Sequence, residues 1–234
     1  MRETNAKPVI LLAFANDPAH PLPRLADEHR ELCGILRNSD VARLCEVQDL
    51  PSATVEQIIE VFQDRRFRHR IAIFHYAGHA NGFQLLLESP EGKTKLAHAG
   101  GLAAFLGQQR GLQLVFLNGC STEQQVQGLL HNKVPAVIAT SQAIDDAVAA
   151  DFAALFYKGL GNGDNIREAY EEAAAAVRTQ RGDDVRHLYM EGAGHDDRWP
   201  WQLYPQDYDE ARAWRLSEAA DDLSTPPKKP LLER

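Results

Sequence analysis

The chain alternates apolar runs with amphipathic stretches. Val9 to Ala15 is an unbroken apolar run that ends at Asn16-Asp17-Pro18, the pattern of a strand buried on both faces. Pro21 to Asn38 follows with Leu22, Leu25, Leu32, Ile35 and Leu36 at roughly helical spacing. Val41 to Leu50 alternates as a second strand. Thr54 to Phe62 then carries Val55, Ile58, Ile59 and Phe62 behind a capping threonine, which predicts a second helix. A third strand, Ile71 to Tyr76, breaks at Ala77-Gly78-His79-Ala80-Asn81-Gly82.

The rhythm is then interrupted. Phe83 to Leu87 and Thr94 to Ala97 flank Ser89-Pro90-Glu91-Gly92-Lys93 and predict a hairpin. A helix from Leu102 to Gln109 leads into a fourth strand, Gln113 to Leu117, which stops at Asn118-Gly119-Cys120. After a short helix comes a fifth strand, Ala136 to Thr140, and then two helices, Asp146 to Leu160 and Asn165 to Arg178. Trp199 to Tyr204 can add a last strand. Repeated strand and helix alternation implies an α/β fold, a mainly parallel sheet with helices on both faces. In such sheets the functional site lies beyond the carboxyl ends of the strands. Three of those ends carry reactive or charged residues: Asn16-Asp17, His79 and Cys120.

Composition narrows the function. The 234 residues carry a formal net charge of −8, which argues against a mainly electrostatic nucleic-acid binder. The run Arg65-Arg66-Phe67-Arg68-His69-Arg70 reads as a charged turn before the next strand. No segment is long enough to span a membrane, and Met1 to Lys7 lacks the pattern of a secretory signal. Three cysteines do not make a disulfide framework, and a cytoplasmic location is expected. Residues 207–234 are charged, pass through Pro226-Pro227-Lys228-Lys229-Pro230, and read as a tail or linker after a domain of residues 1–206.

A thiol attacks a carbonyl as thiolate, so a catalytic cysteine needs a base beside it, and imidazole suits that role. Cys120 stands in a polar turn after an apolar strand, whereas Cys33 and Cys45 lie inside an expected helix and strand and read as small core residues. His79 follows a strand that parallel topology can place beside that of Cys120. His75 and His79 are four apart, but in a strand entering a glycine turn without the glutamate of the zinc-protease helix, so no metal is expected. His75 reads as a structural or supporting residue.

The segments His75-Tyr76-Ala77-Gly78-His79-Ala80 and Leu117-Asn118-Gly119-Cys120-Ser121-Thr122 resemble the histidine and cysteine motifs of CHAT-domain proteases, relatives of caspases and separase. The similarity runs on through Val134 to Thr140 and Phe152 to Leu160, covering roughly residues 8–205. It implies a caspase-like three-layer sandwich and a cysteine endopeptidase with His79 as base and Cys120 as nucleophile. The backbone N–H groups of Cys120 and Ala80 would form the oxyanion hole, although Ala80 stands where relatives usually have glycine. No cofactor is implied. The resemblance also implies a protein substrate, control by a regulatory or sensor module in the same or a separate chain, and a place in a bacterial defence or signalling system. A longer natural protein is expected. The alternative is a CHAT-like binding module that keeps the pair without proteolysis. In the clan, loops after the first and fifth strands form the specificity pocket. Here they carry Asp17, Asp145 and Asp146, from which a preference for Arg or Lys before the cut is expected.

Overall fold

The computed structural model describes residues 7–38, 40–89, 94–181, 199–205 and 212–216. In chain order the strands are β1 (Val9–Ala15), β2 (Glu46–Leu50), β3 (Ile71–Gly78), β4 (Ala80–Asn81), β5 (Gln84–Glu88), β6 (Thr94–His98), β7 (Leu114–Asn118), β8 (Ala136–Thr140) and β9 (Trp201–Tyr204). The helices are α1 (Leu25–Leu36), α2 (Val55–Gln63), α3 (Ala99–Leu106), α4 (Val126–His131), α5 (Asp146–Gly161) and α6 (Ile166–Arg181).

A six-stranded sheet runs β2-β1-β3-β7-β8-β9, parallel throughout except for β9, which pairs antiparallel with β8. The central strands are buried on both faces, which is why they read as unbroken apolar runs. Alternate residues divide between two cores. Ile10, Leu12 and Phe14 face the side of α1, α5 and α6, with Phe116, Phe152, Phe156, Trp199 and Trp201. Val9, Leu11 and Ala13 face the other, with Phe62, Phe74, Leu106 and Leu129 from α2, α3 and α4. The expected hairpin is present as β5 and β6, joined by β4 into a three-stranded antiparallel sheet.

Helix ends follow local chemistry. Thr54 and Gln57 exchange side-chain and backbone hydrogen bonds in a capping box at α2, and Asn165 and Glu168 do the same at α6. The second strand begins at Glu46 rather than Val41, because Val41–Arg43 turns as a 3₁₀ segment that buries Val41. The first helix begins at Leu25, behind the turn set by Pro21 and Pro23. Most of the expected tail lies outside the described residues. The part within them packs on α6: the Ile166 N–H donates to the Trp214 carbonyl at 3.0 Å, and Leu216 is buried.

Candidate active site

The register of β3 and β7 sets the geometry. Ala77 pairs with Asn118, so His79 and Cys120 each stand two residues beyond one paired position, at the carboxyl ends of adjacent parallel strands. The two turns touch. A Cβ on Gly119 would come within 2.6 Å of the Gly78 carbonyl oxygen and 3.0 Å of the Ala80 Cβ, so glycine is what admits this approach. Gly78 has φ +154°, and a Cβ there would lie 2.3 Å from the Ala15 carbonyl oxygen. Both glycines of the motifs are therefore demanded by backbone contact.

Each turn is pinned from below. The Tyr76 hydroxyl lies 2.6 Å from the His79 carbonyl oxygen and 2.7 Å from that of Leu86, so its proton holds the histidine turn against β5. Burial raises the Tyr76 hydroxyl well above its ordinary range, which keeps it a donor. On the cysteine side, Ser121 is left-handed at φ 53° and its N–H donates to the Gln142 carbonyl. Thr122 Oγ1 donates to the Leu117 carbonyl at 3.2 Å and accepts from the Thr140 N–H at 2.9 Å, while the Thr140 hydroxyl donates to the Gly119 carbonyl. Gln125 Nε2 donates to the Asn81 carbonyl at 2.7 Å, tying one turn to the other.

His79 is half-buried, and its Nε2 lies 2.5 Å from the His20 carbonyl oxygen in the loop after β1. A carbonyl only accepts, so Nε2 carries the proton and Nδ1 is the basic nitrogen. Cys120 is partly exposed, unlike Cys33 and Cys45, and burial pushes the Cys45 thiol up to about 11. Ala80 sits in β4, paired with Leu85, and is half-buried.

Asp17 lies in the loop after β1, Asp145 ends the loop after β8, and Asp146 opens α5. Asp17 Oδ1 accepts from the Ala19 N–H at 3.0 Å and the Thr94 hydroxyl at 3.1 Å, and Oδ2 lies 3.2 Å from His20 Nδ1. The Ala19 bond and then the His20 contact hold its carboxyl below the usual range. Asp145 caps α5, accepting from the N–H groups of Ala147 and Val148. Asp146 accepts from the Arg24 N–H at 3.1 Å, which joins the loop after β8 to the loop after β1.

Beneath the cysteine turn lies a polar cluster that motif reading does not reach. Glu28 is 3% exposed, and its Oε1 accepts from Asn118 Nδ2 at 2.8 Å. Asn118 also donates to the Ala149 carbonyl and accepts from Trp201 Nε1 at 3.0 Å. His75 is fully buried with its Nε2 3.4 Å from Glu28 Oε1, and among the described residues neither ring nitrogen completes a hydrogen bond. The available signal was Glu28 itself, a carboxylate on the Leu25, Leu32, Leu36 face of α1. A charge on a helix's core face has to meet a partner there.

The family model described as the CHAT domain matches residues 2–220. Among solved structures, the chain is similar to the Arg-specific cysteine proteinase gingipain R of Porphyromonas gingivalis, at 11% identity and a TM-score of 0.53. That alignment covers 79% of this chain and 44% of the gingipain chain. The Drosophila initiator caspase Dronc is similar at 9% identity and a TM-score of 0.49, over 74% of this chain and 73% of that one. No curated protein matches. The fold is the caspase-like α/β sandwich that the sequence leads one to expect.

Proposed function

We propose that this chain, which belongs to the CHAT domain family, is a cysteine endopeptidase in which Cys120 is the nucleophile and His79 its base. One observation carries the reading: the β3 and β7 register ends both strands side by side, with His79 and Cys120 at equal distance beyond the paired Ala77 and Asn118. Nδ1 of His79 takes the thiol proton, the thiolate attacks the peptide carbonyl, and the new oxyanion is met by the N–H groups of Cys120 and Ala80. His79 returns the proton to the leaving amine, and water then hydrolyses the thioester. The His20 carbonyl acts as the orienting third group by fixing the imidazole's tautomer.

The reading extends to a protein substrate, a basic residue before the cut and control by a regulatory module in a bacterial defence or signalling system. Asp17 and Asp146 are the acids assigned to the basic side chain, with Asp17 Oδ2 exchanging its contact with the exposed His20 for the guanidinium or ammonium, while Asp145 serves as the cap of α5. The test is labelling of the full chain by peptidyl electrophiles, with a peptide library for specificity. Cys120→Ala is expected to abolish labelling and turnover, and His79→Ala to slow both by about 10²–10⁴-fold. Intact folding with no labelling by any probe defeats the protease and leaves a binding module. Dominant cleavage after Leu or Asp defeats the basic preference alone.

A further inference from the structure

Away from the catalytic turns, α1 and β2 converge on a second cluster. His29, Cys33 and Arg37 are four apart in succession, so they form one stripe along α1 and its C-cap residue, and the stripe faces Asp49 of β2. His29 Nε2 lies 2.8 Å from Asp49 Oδ2, and Arg37 takes the other carboxylate oxygen. One donor atom each from His29, Cys33 and Asp49 lie within 4.8 Å of one another.

The His29–Asp49–Arg37 bonds form a complete surface ion network that explains three of the four residues. The thiol is what they leave over. Sequence reading takes Cys33 as a core residue and expects no metal, but its sulfur sits against a carboxylate rather than among apolar side chains alone. An imidazole nitrogen, a sulfur and a carboxylate oxygen make a borderline-soft donor set, suited to zinc and unsuited to calcium or magnesium. Zinc bonds of about 2.0–2.3 Å require donors roughly 3–4 Å apart.

We propose that His29 Nε2, Cys33 Sγ and Asp49 Oδ2 form a site for a divalent transition metal of the zinc class, with the fourth position facing solvent. Arg37 holds the outer oxygen of Asp49, the orienting role that groups bonded to metal-ligating carboxylates play elsewhere. Binding breaks the His29–Asp49 hydrogen bond, the neutral imidazole carrying its proton on Nδ1 so that Nε2 is free to ligate, and it exchanges the Cys33 thiol proton for the metal, that proton leaving to solvent. The thiolate and carboxylate together balance the dication, and Arg37 offsets the carboxylate in its absence. This site stands apart from the proposed protease chemistry and is tested without it.

The experiment is a titration of the chelator-treated full chain with cobalt(II), followed by zinc competition. Expected is saturable binding of one equivalent, with a thiolate-to-cobalt charge-transfer absorption that zinc abolishes. Cys33→Ser removes that absorption, and His29→Gln or Asp49→Asn weakens binding at least about tenfold, since even a group that only orients a ligand is worth ~10–100-fold. Cys120→Ala leaves the absorption unchanged. The proposal is overturned by the absence of saturable binding, by absorption that survives Cys33→Ser, or by absorption that Cys120→Ala removes. Should Cys33→Ser fail to fold by circular dichroism, the partly exposed His29 and Asp49 variants decide: unchanged affinity in both sinks the site.

Discussion

At the scale of single residues, the buried contacts of Glu28 are the most exposed to test. Glu28→Ala removes the acceptor of the Asn118 amide in a site closed to water, and such an orphaned donor costs about 1–3 kcal/mol. We expect that loss in urea unfolding, together with slower labelling of Cys120, because Asn118 lies two residues before the thiol. A neighbouring carboxylate gives a pH dependence. Burial raises the Asp49 carboxyl, but hydrogen bonds from His29 and Arg37 outweigh it and leave it below the ordinary range. A depressed carboxylate contributes stability that is present above the unfolded value, about 3.9, and lost as pH falls through the folded one. The stability gap between wild type and Asp49→Asn should therefore shrink as pH drops from 6 to below about 3; a gap constant with pH would remove this role. The proposed pair was legible in the sequence because His79 and Cys120 stand in polar turns that follow apolar strands and match the CHAT motifs. The partners that hold it were not, since the His20 carbonyl and the Thr122–Thr140 clamp are long-range contacts of ordinary residues.

At the scale of elements, the sequence showed strands more sharply than helix starts. Strands buried on both faces announce themselves as continuous apolar runs, so β1, β3, β7 and β8 are found within a few residues. Segments that owe their shape to tertiary contact do not, as at Val41–Arg43, where burying one valine turns the backbone. The turn after β7 depends on both kinds of information. Its glycine is visible, but the reason is the Gly78 carbonyl on the neighbouring strand. Gly119→Ala should force β3 and β7 apart at their ends. We expect at least about a tenfold loss of Cys120 labelling with a far-UV spectrum close to wild type, because a displacement near 1 Å at reacting groups can cost 10²-fold. Thr122→Val separates clamping from crowding: it keeps the volume and deletes the hydroxyl, so it should lower stability by about 1–3 kcal/mol through the unsatisfied Thr140 and Leu117 groups. Wild-type labelling in Gly119→Ala would show that the approach of the two turns is not needed.

At the scale of the whole molecule, the question is where the folded unit closes. Sequence composition puts the boundary at residue 206, because residues 207–234 are charged and rich in turn formers. Two observations place residues 212–216 on the body of the protein instead of beyond it. Leu216 is 3% exposed within the aromatic core of α5, α6 and β9, and Asn165 pairs with Arg215 while the Ile166 N–H donates to the Trp214 carbonyl. That donation satisfies one of the orphan N–H groups at the start of α6, so the segment closes a helix end as well as covering apolar surface. A chain ending after Pro205 should lose both contributions. Leu216→Ala alone should cost about 2–5 kcal/mol, the range for emptying a buried leucine site. The comparison is urea unfolding of chains ending at 205, at 216 and at 234. We expect the first to unfold at a clearly lower midpoint and the other two to coincide, whereas equal midpoints for all three would return residues 212–216 to the tail. The consequence reaches the turns of the proposed site through Trp201, which β9 places against Asn118. Loosening this edge should therefore slow Cys120 labelling as well as lower the midpoint, and a chain ending at 205 that labels at the wild-type rate would show that the edge and the cysteine turn are uncoupled.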